Sequence, residues 1–177
     1  DGVAQLSGRA VFVPGALPGE RVLVDVDAQT KVQSGELVQV LSPSRARRPP
    51  ACALAGACGG CDWMHIQEDA QLRHKEEMVL ASLEHIGRVD RTSFRLLTTV
   101  KSSQSLGYRR RAVLHPGGGA LGFFGRGSHL GVEVARCPAL TPSLVDLPAW
   151  LVRQLGPKTL KELQEVRLLA CEGRIAL

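Results

Sequence analysis

The sequence contains no long hydrophobic run and no targeting signal at its start. Its apolar stretches all fall short of the roughly 18 residues that a membrane-spanning helix requires. Asp1 opens the chain without the basic stretch and apolar core of a secretory signal. We therefore expect a cytoplasmic protein without a membrane partner, and we expect it to be a monomer.

The chain also lacks an opening methionine, and it stops at Leu177 within the apolar pattern VRLLACEGRIAL. These ends predict that it is part of a longer protein. Hydrophobic residues make up 44% of the sequence and charged residues 22%, which argues against disorder. The 177 residues leave room for one domain or two small ones.

Signatures of a catalytic centre or a phosphate-binding loop are missing as well. The glycines at 117–119 lie between two strand-like segments and lack the ordered spacing and following helix of such a loop. The five histidines are scattered, and none stands with a cysteine and an acid in a nucleophile arrangement. Cys171 lies in an apolar strand, which is expected to raise its pKa and keep it inert. We predict no catalytic and no cofactor-binding residue in this chain.

The cysteines indicate a metal centre. Five is an odd number, and without a secretory signal a disulfide framework is improbable. Cys52, Cys58 and Cys61 lie within ten residues among glycines and alanines, a loop that can wrap tightly around an inorganic centre. Cys137, followed by Pro138, is the candidate fourth ligand. The spacing alone leaves an iron–sulfur cluster and a four-cysteine zinc site about level, with unligated buried cysteines less favoured.

The pattern of residues predicts a mixed β and α+β fold. Residues 1–43 alternate at the strand period, as at Val11 and Val13, which predicts a small antiparallel barrel or sheet. Residues 44–62 form a basic, proline-stiffened linker followed by the cysteine loop, and 63–177 form an α+β domain.

Helical and strand periods alternate within that α+β domain. Leu72, Val79, Leu83 and Ile86 share one face of a helix predicted over 67–86. Strands are predicted at 95–100, 108–115, 120–124 and 130–135, with a hairpin turn at 116–119, a second helix at 141–154 and a final strand pair from 166. Pro148 is awkward inside the second helix.

The charge is unevenly distributed. The net charge is +5, yet residues 1–43 hold three basic against five acidic residues, and residues 88–136 hold nine basic against two acidic residues. Such a basic segment predicts a polyanionic partner, whereas the alternative is a solvated basic face. Arginine forks bind phosphate, and aromatic rings stack on bases. The predicted RNA-binding residues are Tyr108, Arg109, Arg110, Arg111, Phe123 and Arg126, with Arg45, Arg47 and Arg48 of the linker.

Several segments together resemble one family of RNA-modifying enzymes. The stretch G-R-A-V-F-V-P-G-A-L-P-G-E-R-V is similar to the TRAM domain, an oligonucleotide-binding barrel. C-x5-C-G-G-C, with W-M-H-I and A-Q-L-R-H-K after it, resembles the iron–sulfur segment of RNA uracil-5-methyltransferases. L-G-Y-R-R-R-A, G-F-F-G-R-G-S and V-A-R-C-P-A-L-T-P resemble the same family in the same order. The combination is most similar to the branch that makes 5-methyluridine in 23S rRNA, although related enzymes act on tRNA.

The resemblance implies a [4Fe-4S] cluster held by Cys52, Cys58, Cys61 and Cys137, with Cys171 matching no ligand. It also implies a stem-loop of 23S rRNA as partner. S-adenosylmethionine and the catalytic groups would belong to a further C-terminal domain, so this chain is expected to bind RNA without transferring a methyl group. The barrel segment is acidic and carries one aromatic residue, Phe12, so its own grip on RNA should be weak. The alternative function is a stand-alone, non-catalytic RNA-binding adaptor with an iron–sulfur or zinc site.

Overall fold

The computed structural model describes residues 2–26, 33–171 and 174–176. The chain divides into two compact units. Unit 1 comprises Asp1–Pro50 and Trp63–Leu96, and unit 2 comprises Ala51–Asp62 and Leu97–Leu177. The cysteine loop therefore groups with the C-terminal part of the chain, whereas the segment that follows the loop groups with the N-terminal strands.

Unit 1 contains a four-stranded sheet in the order β1-β2-β4-β3. Its strands are β1 (Gly2–Leu6), β2 (Arg9–Val13), β3 (Arg21–Val26) and β4 (Gln33–Ser42). The predicted alternation is confirmed in β2, where Val11 and Val13 are buried and their neighbours are exposed. The expectation of a purely antiparallel sheet is wrong, because β2 pairs with β4 in parallel. In the described residues β1 and β3 are the two edges, so the sheet corresponds to half of a barrel.

The helix predicted at 67–86 is confirmed as α1 (Glu68–Ala81), continued by a π-helical turn at Ser82–Ile86. The face that carries the four predicted apolar residues is only partly covered, since Leu72 and Leu83 are half-buried. Val79 is 54% exposed and Ile86 is 83% exposed. Ala70, in the first turn, is the one buried residue of α1. The buried cluster there consists of Leu17, Ile66 and Ala70, with Ala46 and Trp63 packed against it. This cluster explains why residues after the cysteine loop join unit 1.

A buried ion pair between Glu20 and Arg47 connects the turn before β3 with the segment that follows β4. The Glu20 side chain is fully buried, and its carboxylate accepts hydrogen bonds from Arg47 Nε at 2.5 Å and Arg47 Nη2 at 2.6 Å. The same carboxylate accepts from the backbone N–H groups of Leu17 at 2.9 Å and Ser44 at 3.1 Å. Arg47 also donates to the Gly15 carbonyl at 2.7 Å. Burial opposes the charge on Glu20, but these donors outweigh it and lower its pKa to about 2.

Unit 2 is built on a five-stranded antiparallel sheet in the order β7-β6-β5-β8-β9. Its strands are β5 (Arg111–Gly117), β6 (Ala120–Phe124), β7 (Gly131–Glu133), β8 (Val166–Cys171) and β9 (Arg174–Ala176). The predicted hairpin turn is confirmed between β5 and β6, where Gly118 and Gly119 have φ values of 61° and 88°. The strand predicted at 95–100 is wrong, because those residues adopt no regular structure.

The second helix, α2 (Leu147–Glu162), begins six residues later than predicted. Pro148 therefore lies in the first turn, where its missing N–H leaves no hydrogen bond unmade. Regular helical geometry breaks at Gly156, whose φ is 70°, close to the predicted end. The largest fully buried side chains of unit 2 are Leu114, Leu121, Leu140, Leu144, Leu160, Leu168 and Pro148. None of the helices in the described ranges combines the length and apolar character of a membrane-spanning segment.

Gly122 in β6 tests how closely this sheet is packed. A Cβ atom at Gly122 would collide with the backbone carbonyl of Val132 in β7. A backbone carbonyl in a strand cannot move aside as the end of a flexible side chain could. We expect Gly122→Ala to lower the free energy of unfolding by about 2 kcal/mol or more, measured by denaturant unfolding. Gly131→Ala is the matched control, since a Cβ there meets nothing within 4 Å. Equal effects of the two substitutions would contradict the β6–β7 packing.

Candidate functional site

The cysteine loop lies against the β6 end of the unit 2 sheet. The Gly59 N–H donates to the Phe124 carbonyl at 2.9 Å, and the Arg126 N–H donates to the Ala57 carbonyl at 3.2 Å. A Cβ at Gly59 would lie 3.1 Å from the backbone oxygens of both Phe124 and Gly125. The small residues that the sequence places here thus permit the loop to pair closely with the strand end.

Local hydrogen bonds shape the loop around its thiols. The Ala55 N–H donates to the Cys52 carbonyl at 3.1 Å, and the Cys58 N–H donates to the Leu54 carbonyl at 2.9 Å. The Gly60 N–H faces the Cys58 sulfur at 3.4 Å. A backbone amide directed at a sulfur stabilises its thiolate form, as a metal ligand requires.

Cys137 belongs to the same unit and is buried, with 8% of its surface exposed. It begins a turn in which its N–H donates to the Val145 carbonyl at 3.2 Å and its carbonyl accepts from the Leu140 N–H at 3.1 Å. The turn holds this thiol in a fixed position, more than 70 residues along the chain from the loop.

The other three cysteines of the proposed set act electrostatically on Cys61. Burial is the largest cause of a raised pKa at the Cys61 thiol, the Arg109 guanidinium opposes it, and the charges of Cys137, Cys58 and Cys52 raise the pKa further. Four thiolates gathered in this way repel one another unless a positive centre lies among them. In the parts of the chain that the structure describes, however, no group of three His, Cys, Asp or Glu side chains has the geometry to hold a metal ion.

Cys171 stands apart from that set at the end of β8. The expectation that its apolar strand buries it is wrong, because Cys171 is exposed. Its register partner on the neighbouring edge strand is Arg174. Leu168 is the buried residue of β8, and Cys171 lies on the opposite face of the strand.

The basic segment divides into two environments. Tyr108, Arg110 and Arg111 are exposed, whereas Arg109 is half-buried. The strand predicted at 108–115 begins only at Arg111, as β5. Arg109 instead precedes the strand and directs its guanidinium toward the cysteine loop, where Nη2 donates to the Gly60 carbonyl at 2.8 Å.

The Arg109 guanidinium also lies 3.9 Å from the Cys61 sulfur. Burial lowers the pKa of Arg109, but the negative charge on Cys61 and the hydrogen bond and charge of Tyr108 outweigh it, so that the pKa is raised above its ordinary value. This guanidinium therefore stays charged beside the thiols.

The aromatic residues of the hairpin do not form the free stacking platform that their sequence suggested. The Phe123 ring is half-buried. Phe124 stacks on His115 with ring centroids 3.8 Å apart and planes at 10°, and His129 meets Phe124 edge-on at 5.2 Å. The sequence analysis treated both histidines as scattered residues and did not predict their contacts with Phe124. Pairing of β5 with β6 brings His115 beside Phe124, and only the hairpin register could have revealed it.

The remaining predicted RNA-binding arginines differ in how their side chains are engaged. Arg126 pairs with Asp62 at 2.7 Å. Arg48 donates to the Met64 carbonyl at 3.2 Å and lies 3.4 Å from Glu68, and Arg47 is bound by Glu20. Arg45 is exposed. Arg47 and Arg48 therefore have a structural role within unit 1, and their contacts give no support for a role in RNA binding.

The chain is similar to RNA methyltransferases over most of its length. It is 35% identical over 176 residues to an uncharacterized RNA methyltransferase of Bdellovibrio bacteriovorus, a match that covers 97% of this chain and 43% of that protein. It is 36% identical over 184 residues to the 23S rRNA (uracil(1939)-C(5))-methyltransferase RlmD of Halomonas elongata, covering 99% of this chain and 37% of that enzyme. The chain thus spans less than half the length of these relatives.

A solved structure shares the fold. The Pyrococcus abyssi tRNA (uracil-54, C5)-methyltransferase, in complex with S-adenosyl-L-homocysteine, matches 93% of this chain and 40% of that chain with a TM-score of 0.66 at 20% identity. No family model matches the sequence. The homologues confirm the similarity to RNA uracil-C5 methyltransferases, while the TRAM domain, the cluster and its ligands stay predictions.

Proposed function

We propose that the chain is the RNA-binding, iron–sulfur part of an S-adenosylmethionine-dependent RNA methyltransferase that makes 5-methyluridine in 23S rRNA. The observation that carries the proposal is the gathering of Cys52, Cys58, Cys61 and Cys137 in one compact unit, beside a basic segment. The names of the relatives support the methyltransferase in preference to a stand-alone adaptor. Such an enzyme would act in the cytoplasm as a monomer.

The donor set of four thiols is that of a [4Fe-4S] cluster, and a tetrahedral zinc site can use the same set. A tetrahedral zinc site with Zn–S bonds of about 2.3 Å brings its sulfurs to within about 3.8 Å of one another. The order and spacing of these cysteines resemble the iron–sulfur segment of RNA uracil-5-methyltransferases, and this resemblance favours the cluster. A cubane separates its thiolate ligands because each binds a different iron atom. Cys52, Cys58, Cys61 and Cys137 would hold this cluster, with Cys171 excluded from the set.

The exposed part of the basic segment is the proposed contact with RNA. Tyr108 is 52% exposed, and Arg110 and Arg111 follow it on the surface of unit 2. Guanidinium groups bind phosphates, and an exposed tyrosine ring can stack on an unpaired base, as in recognition of an RNA loop. We propose a stem-loop of 23S rRNA as the ligand. Phe123 and Arg126 would extend this contact within unit 2. Arg45 of unit 1 is proposed as a separate contact with RNA.

S-adenosylmethionine, bound outside this chain, would supply the methyl group. The residues described above would bind and orient the RNA, and none of them stands as a nucleophile or a general base for uracil. We propose accordingly that the chain alone binds RNA without methylating it.

Binding of RNA tests this role. We expect Arg110→Ala and Arg111→Ala each to weaken binding of an unmodified 23S rRNA stem-loop, and each to reduce the slope of log affinity against log salt by about one unit. Fluorescence anisotropy over a salt series measures both quantities.

Arg153→Ala is the matched control, because Arg153 is an exposed arginine on α2 with the same charge. The control should leave the salt slope unchanged. If the double variant at 110 and 111 binds as tightly as the wild type with the same slope, these arginines only solvate the surface and the proposed RNA contact is wrong.

A further inference from the structure

Arg109 differs from its two arginine neighbours in what it touches. Its Nη2 atom donates to the Gly60 carbonyl at 2.8 Å and lies 3.9 Å from the Cys61 sulfur. These contacts direct the charged end of Arg109 into the cysteine loop. The Nη2 atom of Arg109 is thus engaged within the protein, whereas the side chains of Arg110 and Arg111 are exposed.

The main chain of Arg109 is fixed on its other side by the segment that carries Cys137. The Arg109 N–H donates to the Ala139 carbonyl at 2.9 Å, and the Arg109 carbonyl accepts from the Thr141 N–H at 3.0 Å. The same segment begins with the turn that Cys137 closes through Leu140. Arg109 thus joins the two separate stretches of chain that hold the thiols, one through its side chain and one through its backbone.

We propose that Arg109 is a positioning residue for the metal centre, not a contact for RNA. It fixes the Cys61 part of the loop relative to Cys137, and it places a permanent positive charge next to the Cys61 sulfur. The inference rests on the proposed cluster. It separates the basic segment into one residue that serves the metal centre and two that face outward.

The test compares three variants of the full chain after anaerobic reconstitution with iron and sulfide. Arg109→Gln removes the charge and the fork, Arg109→Lys keeps the charge but loses the fork, and Arg110→Gln is the matched control. The first readout is the rate of iron release to a chelator. We expect release about tenfold faster from Arg109→Gln, since a hydrogen bond to a charged group is lost. Release from Arg109→Lys should be intermediate, and release from Arg110→Gln unchanged.

The second readout is the midpoint potential of the cluster, which a purely structural role of Arg109 would not move. A positive charge beside the cluster favours the more negative, reduced state. The potential should therefore become more negative in Arg109→Gln and stay near the wild-type value in Arg109→Lys and Arg110→Gln. Circular dichroism of the cluster-free proteins identifies any variant that fails to fold.

Two results overturn the inference, and they are distinct. If the wild-type chain takes up no iron, the proposed cluster is wrong, and the proposed role of Arg109 is wrong with it. If the wild type takes up iron and both Arg109 variants match Arg110→Gln in release rate and potential, only the role of Arg109 is wrong. A folded Arg109→Gln variant with faster release and a more negative potential supports it.

Discussion

Replacing Glu20 with glutamine is expected to lower the free energy of unfolding of unit 1 by about 3 kcal/mol at neutral pH, because it breaks a buried ion pair. The Glu20 side chain is fully buried, and it receives two hydrogen bonds from Arg47 and two from backbone N–H groups. Glutamine leaves the Arg47 charge without its partner. Denaturant unfolding followed by Trp63 fluorescence measures the change, since Trp63 packs against the unit 1 core.

Glu36→Gln provides the control, because Glu36 is an exposed acid on β4 of the same unit. Its effect should stay within about 0.5 kcal/mol. A loss at Glu20 no larger than at Glu36 would contradict the buried pair.

The same pair predicts how the stability of unit 1 depends on pH. The pKa of Glu20 is lowered from 4.5 to about 2 on folding, so its contribution is complete above pH 4.5 and disappears as the pH falls through about 2. Across that window the wild type should lose about 3 kcal/mol more stability than Glu20→Gln. Parallel curves for the two proteins would show that the carboxylate is not held in its charged form.

Replacing Cys137 with serine is expected to have the other large effect. Cys137 is buried in a turn far along the chain from the cysteine loop, so a metal centre bound by both would cross-link unit 2. Because metal binding contributes directly to folding, loss of this ligand should remove most of the bound iron and lower the thermal midpoint of unit 2 by about 10 °C or more. Iron analysis and thermal unfolding followed by Trp150 fluorescence measure these losses.

Cys171→Ser is the matched control, since it removes an exposed thiol from the same unit. Its iron content and thermal midpoint should equal those of the wild type. Loss of iron from Cys171→Ser with retention in Cys137→Ser would show that the proposed ligand set is wrong.

Short-range patterns accounted for much of the fold. Alternation at Val11 and Val13 identified β2, and the glycine-rich turn at 117–119 identified the β5–β6 hairpin. Both depend on residues close together in sequence. The parallel pairing of β2 with β4 joins strands that are not consecutive along the chain, so their own patterns could not reveal it. Residues 95–100 have strand-like composition but no strand partner in the described residues.

The charged residues of the site were harder to assign than the cysteines. The clustered cysteines could be proposed as ligands from their spacing, whereas an arginine near a phosphate and an arginine near a carboxylate look alike in sequence. Glu20 lies 27 residues before Arg47, and Gly60 lies 49 residues before Arg109. Only tertiary structure joins these pairs. The sequence located the basic segment, and the structure shows which of its guanidinium groups are already bound.

Anaerobic reconstitution of the wild-type chain, followed by analysis of iron, acid-labile sulfide and zinc, tests the proposed metal centre most directly. A cluster held by Cys52, Cys58, Cys61 and Cys137 predicts about four iron atoms and four sulfides per chain. One zinc ion per chain with no iron, or no bound metal at all, would contradict it.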